Sequence, residues 1–220
     1  LLMTATPIPR TLTMTIYGDM DLSIIREKPN IRKPVKTYSK PESKTDDIIK
    51  FVKKEIKLGN QIFWVCPLIE ESKKIDHTSA VKKFEYLKKI FPKQVYLLHG
   101  KTTIEEKEIV LKKFLENDFK ILVSTTIIEV GIDFPNANVI VIENANKFGL
   151  SQLHQLRGRV GRGNKESSCI LMFKSNLSDN AKKRINILKE TNDGFKISEE
   201  DMKLRGFGDI LGFKQSGIKS

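Results

Sequence analysis

Cysteine is scarce in this chain: two residues, Cys66 and Cys169, among 220. Both stand in apolar, strand-like runs. That points to buried, reduced thiols and excludes a disulfide framework or a thiolate metal site. Long hydrophobic runs are missing too. No apolar stretch approaches the ~20 residues of a membrane-spanning helix. The opening Leu1-Leu2-Met3-Thr4-Ala5-Thr6-Pro7 lacks the basic region and long apolar core of a signal peptide. The expectation is a soluble, cytoplasmic chain with no membrane contact. There is no internal repeat and no low-complexity segment. Three phosphate-handling devices are absent as well: the Gly-x-x-x-x-Gly-Lys-(Ser/Thr) loop, an Asp-Glu-x-(His/Asp) magnesium box, and a Gly-x-Gly-x-x-Gly turn after a strand. The last absence argues against a dinucleotide-dependent metabolic enzyme.

Arginine is the informative scarcity. Of 39 basic residues 31 are lysine and eight arginine, and the net charge is +12 with a pI near 9.6. The excess is spread along the chain without a basic tail, so charge alone supports a polyanionic partner only weakly. Isoleucine, at 26, far outnumbers alanine, at five, so the lysine richness is in part a compositional habit. A hydrophobic content of 39% suits a chain that buries a proper core. Against ~100–150 residues per domain, the length is that of one domain with further pieces attached.

Strands and helices alternate. Ser43 is placed to cap a helix with Asp46 and Asp47 in its first turn, followed by Ile48, Val52 and Ile56 and stopped by Gly59. Residues 61–69 read as a buried strand, 72–91 as a helix, and 95–99 as a second strand. Thr103 and Glu106 form a capping box for a helix whose apolar side includes Val110, Leu111, Phe114 and Leu115. Residues 121–124, 139–142 and 169–173 read as strands, and 149–158 as a helix. This spacing predicts βαβ units, a parallel sheet and helices on both faces, placed at 36–177. Residues 1–28 hold a strand, a helix start at Pro9-Arg10-Thr11-Leu12 and another strand; Pro29 to Pro34 reads as a linker. From residue 178 a helix over 179–191, a turn at Asn192-Asp193-Gly194 and a second helix from Ser198 form an αα-hairpin, with a glycine-punctuated loop from Gly206 to Gly212.

Three of the eight arginines fall within six residues, in Gln155-Leu156-Arg157-Gly158-Arg159-Val160-Gly161-Arg162. Arginine differs from lysine by a planar fork that grips two phosphate oxygens at once. Gly158 and Gly161 clear space between the forks for a polyphosphate. The segment resembles motif VI of superfamily-2 helicases, (Q/H)-x-x-G-R-x-G-R. Ser124-Thr-Thr-Ile-Ile-Glu-Val-Gly-Ile-Asp133 is similar to motif V, and Leu1 to Pro7 to motif III. More narrowly, residues 121–163, the Trp64 to Ser72 segment and the Thr4 to Leu12 opening are similar to the RecG family of ATP-dependent branched-DNA helicases. The resemblance spans essentially the whole chain in the expected order.

That resemblance implies a RecA-like three-layer fold, with ATP and Mg2+ held between two RecA-like lobes, the phosphate loop and metal ligands coming from the first. It makes Arg159 and Arg162 the arginine fingers that neutralise charge on the γ-phosphoryl group. Gln155 reports nucleotide state to the same site. Asp133, with Gly131, meets the ATP ribose; the alternative for Asp133 is a plain turn aspartate. Thr125 and Thr126 hold a DNA phosphate, with capping of the following turn as the equal alternative. His99-Gly100 lines the DNA path or is simply structural, and Lys101 adds a phosphate contact. Thr4 and Thr6 couple hydrolysis to lobe movement. Leu204-Arg205-Gly206, Gly208, Leu211-Gly212 and Gln215-Ser216-Gly217 are similar to the family's translocation element. This chain departs from the family's pattern there, with Phe207 for proline, Asp209 for glutamate and Phe213-Lys214 for threonine-arginine. Arg184, Arg205 and Gln215 are the candidates for passing lobe closure to the DNA.

The implied organisation is a first-lobe remnant and linker at 1–35, the second lobe at 36–177 and the translocation hairpin at 178–220. The implied function is remodelling of stalled forks and Holliday junctions in DNA recombination and repair. Its partners are branched and duplex DNA, together with a first lobe and a wedge domain that this sequence lacks. The chain by itself is expected not to hydrolyse ATP, and no metal ligands are assigned in it. Two alternatives stand beside this reading: a translocase of the transcription-repair coupling factor type, and a non-enzymatic basic DNA-binding module.

Overall fold

The computed structural model describes residues 33–66, 73–125, 134–174 and 176–206. Its strands are β1 (Val35–Pro41), β2 (Gln61–Val65), β3 (Val95–Leu98), β4 (Ile121–Ser124), β5 (Ala137–Ile142) and β6 (Ser167–Phe173). Its helices are α1 (Thr45–Lys57), α2 (Lys73–Ile90), α3 (Ile104–Leu115), α4 (Leu150–Arg157), α5 (Asp179–Glu190) and α6 (Gly194–Arg205). The strands pair in the order β1-β6-β5-β2-β4-β3, and every pairing is parallel. This is the parallel sheet that the alternation of strands and helices predicts, in the RecA-like form that the family resemblance implies.

Period-two alternation divides the core into two layers. Phe63, Leu122, Ile140 and Leu171 point to one face, where α3, α4, α5 and α6 cover them through Phe114, Leu153, Leu188 and Ile197. Ile62, Trp64, Val123 and Val141 point to the other, under α1 and α2 through Val52 and Leu87. The central strands β2, β4 and β5 are buried along their whole length, as a sheet covered on both faces requires. Gln61 fastens the first layer: its buried amide donates to the Phe114 carbonyl at 2.7 Å and to the Phe119 carbonyl at 2.9 Å. Both helices of the hairpin share this layer, since Ile185, Leu188 and Ile197 belong to the same core as the sheet.

Local structure follows the sequence at several ends and departs from it at others. Gly59 ends α1 at φ +83°, with its N–H on the Ile56 carbonyl and the Asn60 N–H on the Glu55 carbonyl, a Schellman closure. Thr103 and Glu106 complete their capping box. Ser43 does not cap α1. It lies in a short 3-10 turn, Glu42–Lys44, where Thr45 Oγ1 donates to the Glu42 carbonyl at 2.6 Å. The second hairpin helix starts at Gly194, four residues before the expected Ser198, because Asp193 accepts from the Phe195 N–H at 2.9 Å and so caps what reads as a plain turn. Strand β1 carries no apolar run to mark it in the sequence. Its alternating Lys36, Tyr38 and Lys40 are those of an exposed edge, which protects itself with charge instead of announcing itself with apolar residues.

Candidate functional site

In a parallel sheet all strands start at one edge and finish at the other, so topology alone sorts the candidate residues into two groups. Helix α4 follows β5, runs back across the sheet face and delivers Gly158 to Arg162 to the amino edge, where β1, β5 and β6 begin. Two glycines mark the fit. Gly161 sits at φ +76° against Val35 and Ser167, where a Cβ would meet Val35 Cγ2 at 2.9 Å. Gly163 lies against the Pro135 carbonyl, just before β5. Any side chain at Gly161 would both strain the turn and lift it off β1.

Arg159 and Arg162 extend from this turn, both half-buried, and Arg162 Nε donates to the Gly158 carbonyl at 3.1 Å. Gln155 is exposed one turn earlier on α4. Arg157 has turned inward. It is 3% exposed, and its Nη1 donates to the Leu188 carbonyl at 2.6 Å and to Thr37 Oγ1 at 3.2 Å. Its Nη2 lies 3.4 Å from His154 Nδ1. Burial lowers the Arg157 pKa from its ordinary value. The same enclosure pushes the neighbouring Cys169 thiol up to about 12, against the opposing pull of the Arg157 charge. One of the three clustered arginines is therefore a structural tie, and the other two, Arg159 and Arg162, stand at the amino edge. The spacing Leu150, Leu153, Arg157 follows the buried stripe of α4, and that was the available signal.

The second group lies at the carboxyl edge. His99 and Gly100 follow β3, and Thr125 follows β4 with its N–H on the Leu98 carbonyl at 3.1 Å. The turn after β3 is tightly bonded: the His99 N–H donates to Thr102 Oγ1 at 3.0 Å, and the Lys101 N–H to His99 Nδ1 at 3.1 Å. An Nδ1 that accepts from a backbone N–H places the imidazole proton on Nε2. Thr125 Oγ1 is buried with no hydrogen-bond partner among the described residues, which suits a hydroxyl kept for an external acceptor. Thr126, Gly131, Asp133, Gln215, Thr4 and Thr6, with the Pro67 to Ser72 segment and the loop after Gly206, lie outside the described residues.

The described hairpin candidates reach α4 and the turn that leads into it, Arg205 while still half exposed. Arg205 Nε donates to Asp201 Oδ1 at 3.2 Å, and Asp201 Oδ2 accepts from Ser151 Oγ at 3.1 Å. The Arg205 guanidinium closes over Gly149 at the start of α4, so a Cβ there would run into its Nη2. Arg184 Nη2 donates to the Asn146 carbonyl at 3.1 Å, tying α5 to the short 3-10 turn Ala145–Lys147 that leads into α4. Asn192, between the two hairpin helices, donates to the Val35 carbonyl at 3.2 Å. Helix α4 is thus bonded at its start to α6 and, through Arg157, at its end to α5. The described residues include no cluster of His, Cys, Asp or Glu fit for a metal ion, and none of their helices is long and apolar enough to cross a membrane.

An all-parallel RecA-like sheet with an arginine turn at one edge defines the carboxyl-terminal lobe of a helicase. Residues 43–164 match the model of the helicase conserved C-terminal domain, and the chain belongs to that family. Residues 191–220 match the C-terminal part of domain 3 of the ATP-dependent DNA helicase RecG. The chain is 52% identical over 220 residues to the ATP-dependent DNA helicase RecG of Bacillus subtilis, covering 99% of this chain and 32% of that protein. It is 48% identical over 219 residues to the RecG of Escherichia coli K12, with 99% and 32% covered. A solved structure of RecG bound to a three-way DNA junction superposes with a TM-score of 0.79 at 46% identity, over 94% of this chain and 27% of that one. The chain therefore spans about a third of the length of the curated relatives it matches.

Proposed function

We propose that this chain forms the second RecA-like motor lobe and the translocation hairpin of an ATP-dependent helicase that remodels branched DNA in repair and recombination. The observation that carries the reading is α4, which bears Gln155 and delivers the arginine turn while both its ends are bonded to the hairpin. The division into a first-lobe remnant at 1–35, a lobe at 36–177 and a hairpin at 178–220 belongs to this proposal. So does the inactivity of the chain alone as an ATPase, since its sequence holds no phosphate loop. The similarity to RecG over nearly the whole chain favours this family over the transcription-repair coupling factor or a passive DNA clamp.

The donor set fits a triphosphate: two half-buried guanidinium groups on a glycine turn, with the third arginine already satisfied inside the core. ATP with Mg2+ supplies the phosphoanhydride bond and the charge that develops on its cleavage. Arg159 and Arg162 hold the terminal phosphoryl oxygens and offset that charge, a contribution of about 10³–10⁵ in rate for arginine fingers elsewhere. Asp133 and Gly131 take the ribose, and Gln155 senses the occupant. At the opposite edge His99 Nε2–H, the Gly100 backbone, the Lys101 ammonium, Thr125 and Thr126 hold DNA phosphates without reading bases. Arg184, Arg205 and Gln215 pass movement of α4 to the hairpin, and Thr4 and Thr6 serve the coupling from the first lobe. In the full-length protein, Arg159→Ala or Arg162→Ala should abolish DNA-stimulated ATP turnover and leave the affinity for a three-way junction within about twofold. Normal turnover in both variants would sink the assignment.

A further inference from the structure

The carboxyl edge presents four strand ends in sheet order, Glu143 after β5, Cys66 after β2, Thr125 after β4 and His99 after β3. Backbone bonds run along the row: the Glu143 N–H to the Val65 carbonyl at 2.9 Å, the Cys66 N–H to the Ser124 carbonyl at 2.8 Å, and the Thr125 N–H to the Leu98 carbonyl at 3.1 Å. Glu143 is the anomaly. A carboxylate two strands from Thr125, about 10 Å at ~4.8 Å per strand, repels the phosphates that this edge is read as holding. It cannot swing away, because Trp64 Nε1 donates to its Oε1 at 3.0 Å and the Cys66 thiol lies 3.5 Å from its Oε2. Both are neutral donors; burial, then the Glu143 charge, raises the Cys66 pKa well above its ordinary value and keeps the thiol protonated.

The compensating charge comes from α2. Lys83 Nζ lies 3.1 Å from Glu143 Oε1, with side-chain exposures of 17% and 15% for the pair. The ammonium also sits 5.6 Å from the Trp64 ring centre and 5.5 Å from that of Tyr86, so two aromatic faces and one carboxylate fix its place. The recess beside Glu143 is also lined by one further acid, Glu42, and one base, Lys174. Among the described residues Lys83 is therefore the cation paired with Glu143, and its enclosure leaves it poorly placed to grip a phosphate itself.

We propose that Lys83 is a positioning residue for DNA binding: by neutralising the fixed carboxylate of Glu143, it makes the carboxyl edge acceptable to the DNA backbone. This rests on the reading of that edge as the DNA-contacting one. The geometry separates three roles for Lys83. A balancing charge is dispensable once Glu143 is neutral. A direct phosphate ligand is missed whether or not Glu143 is charged. A packing residue costs stability without moving DNA affinity in either direction.

The test uses the full-length protein and measures the concentration of three-way junction that half-saturates ATP turnover, KDNA. Lys83→Met should raise KDNA about three- to tenfold at low salt, and less at high salt where screening is short-ranged. Adding Glu143→Gln to that variant should return KDNA to within about twofold of the parent, and basal turnover without DNA should stay unchanged throughout. If Lys83→Met does not fold, Lys83→Gln, which keeps a donor to Glu143 and loses only the charge, carries the same expectation. An unchanged KDNA in a folded Lys83 variant, or a raised KDNA that Glu143→Gln fails to rescue, overturns the proposal. His99→Ala and Thr125→Val are the controls. If neither raises KDNA, the reading of the edge fails and the role of Lys83 falls with it; if both do and Lys83→Met does not, the role of Lys83 alone falls.

Discussion

At the scale of single residues, three arginines alike in the sequence divide by where the helix turns them. Arg159 and Arg162 leave α4 and reach the amino edge, while Arg157 completes the buried stripe of the helix and satisfies the Leu188 carbonyl at 2.6 Å. Arg157→Met should therefore cost about 1–3 kcal/mol in urea unfolding, the price of stranding a buried carbonyl. Arg157→Lys should recover only part of it, because one ammonium cannot serve Leu188, Thr37 and His154 from a planar fork. Cys169 gives a pH dependence with a definite sign. Its folded pKa of about 12 lies above the ordinary 9.0, so the folded state keeps its proton longer than the unfolded chain does. That stability is fully present below pH 9 and is lost as pH rises from 9 towards 12, by up to ~1.4 kcal/mol per pH unit. Unfolding midpoints between pH 8 and 11 should fall more steeply for the parent than for Cys169→Ala. Equal slopes would discard the assignment.

At the scale of elements, the caps are where sequence and structure can be compared directly. Gly59→Ala leaves the cavity free but forces a side chain into φ +83°, and should cost about 1 kcal/mol. Thr103→Ala removes half of a capping box and should cost a similar ~1 kcal/mol, read from thermal unfolding. Both signals are local, and both were legible. The start of α6 was not, since Asn192-Asp193-Gly194 reads equally well as a turn and as a helix cap; only the bond to the Phe195 N–H decides. Strand β1 was unreadable for a different reason. Its identity comes from pairing with β6, residue by residue from Val35 with Ser167 to Pro41 with Phe173, and pairing partners 132 positions apart leave no local trace. The arginine turn was legible because arginine is out of habit for this chain and two glycines stand between the three clustered arginines. The bonds of α4 to the hairpin were not, because Ser151, Asp201 and Gly149 are ordinary residues until the fold brings them together. Gly149→Ala should displace only the guanidinium end of the half-exposed Arg205 and, with the Ser151–Asp201 bond kept, leave the resistance of the hairpin to proteolysis unchanged.

At the scale of the whole molecule, parallel topology puts the arginine turn and the strand ends bearing His99 and Thr125 on opposite edges of one sheet. Variants at the two edges should then separate cleanly in steady-state kinetics of the full-length protein: changes at Arg159 or Arg162 act on turnover, changes at His99 or Thr125 on KDNA. A net charge of +12 spread along the sequence adds a general attraction for polyanions, so that separation is expected to be sharpest at salt high enough to screen it. The environment of Trp64 has one more consequence. This chain contains a single tryptophan, fully buried, with its indole N–H on Glu143 and the Lys83 ammonium over its ring. The molecule thus carries its own optical reporter at the edge where charge balance matters: the emission of an enclosed indole, shifting to the red on unfolding, and changing in intensity if a polyanion settling near β5 disturbs the Lys83–Glu143 pair.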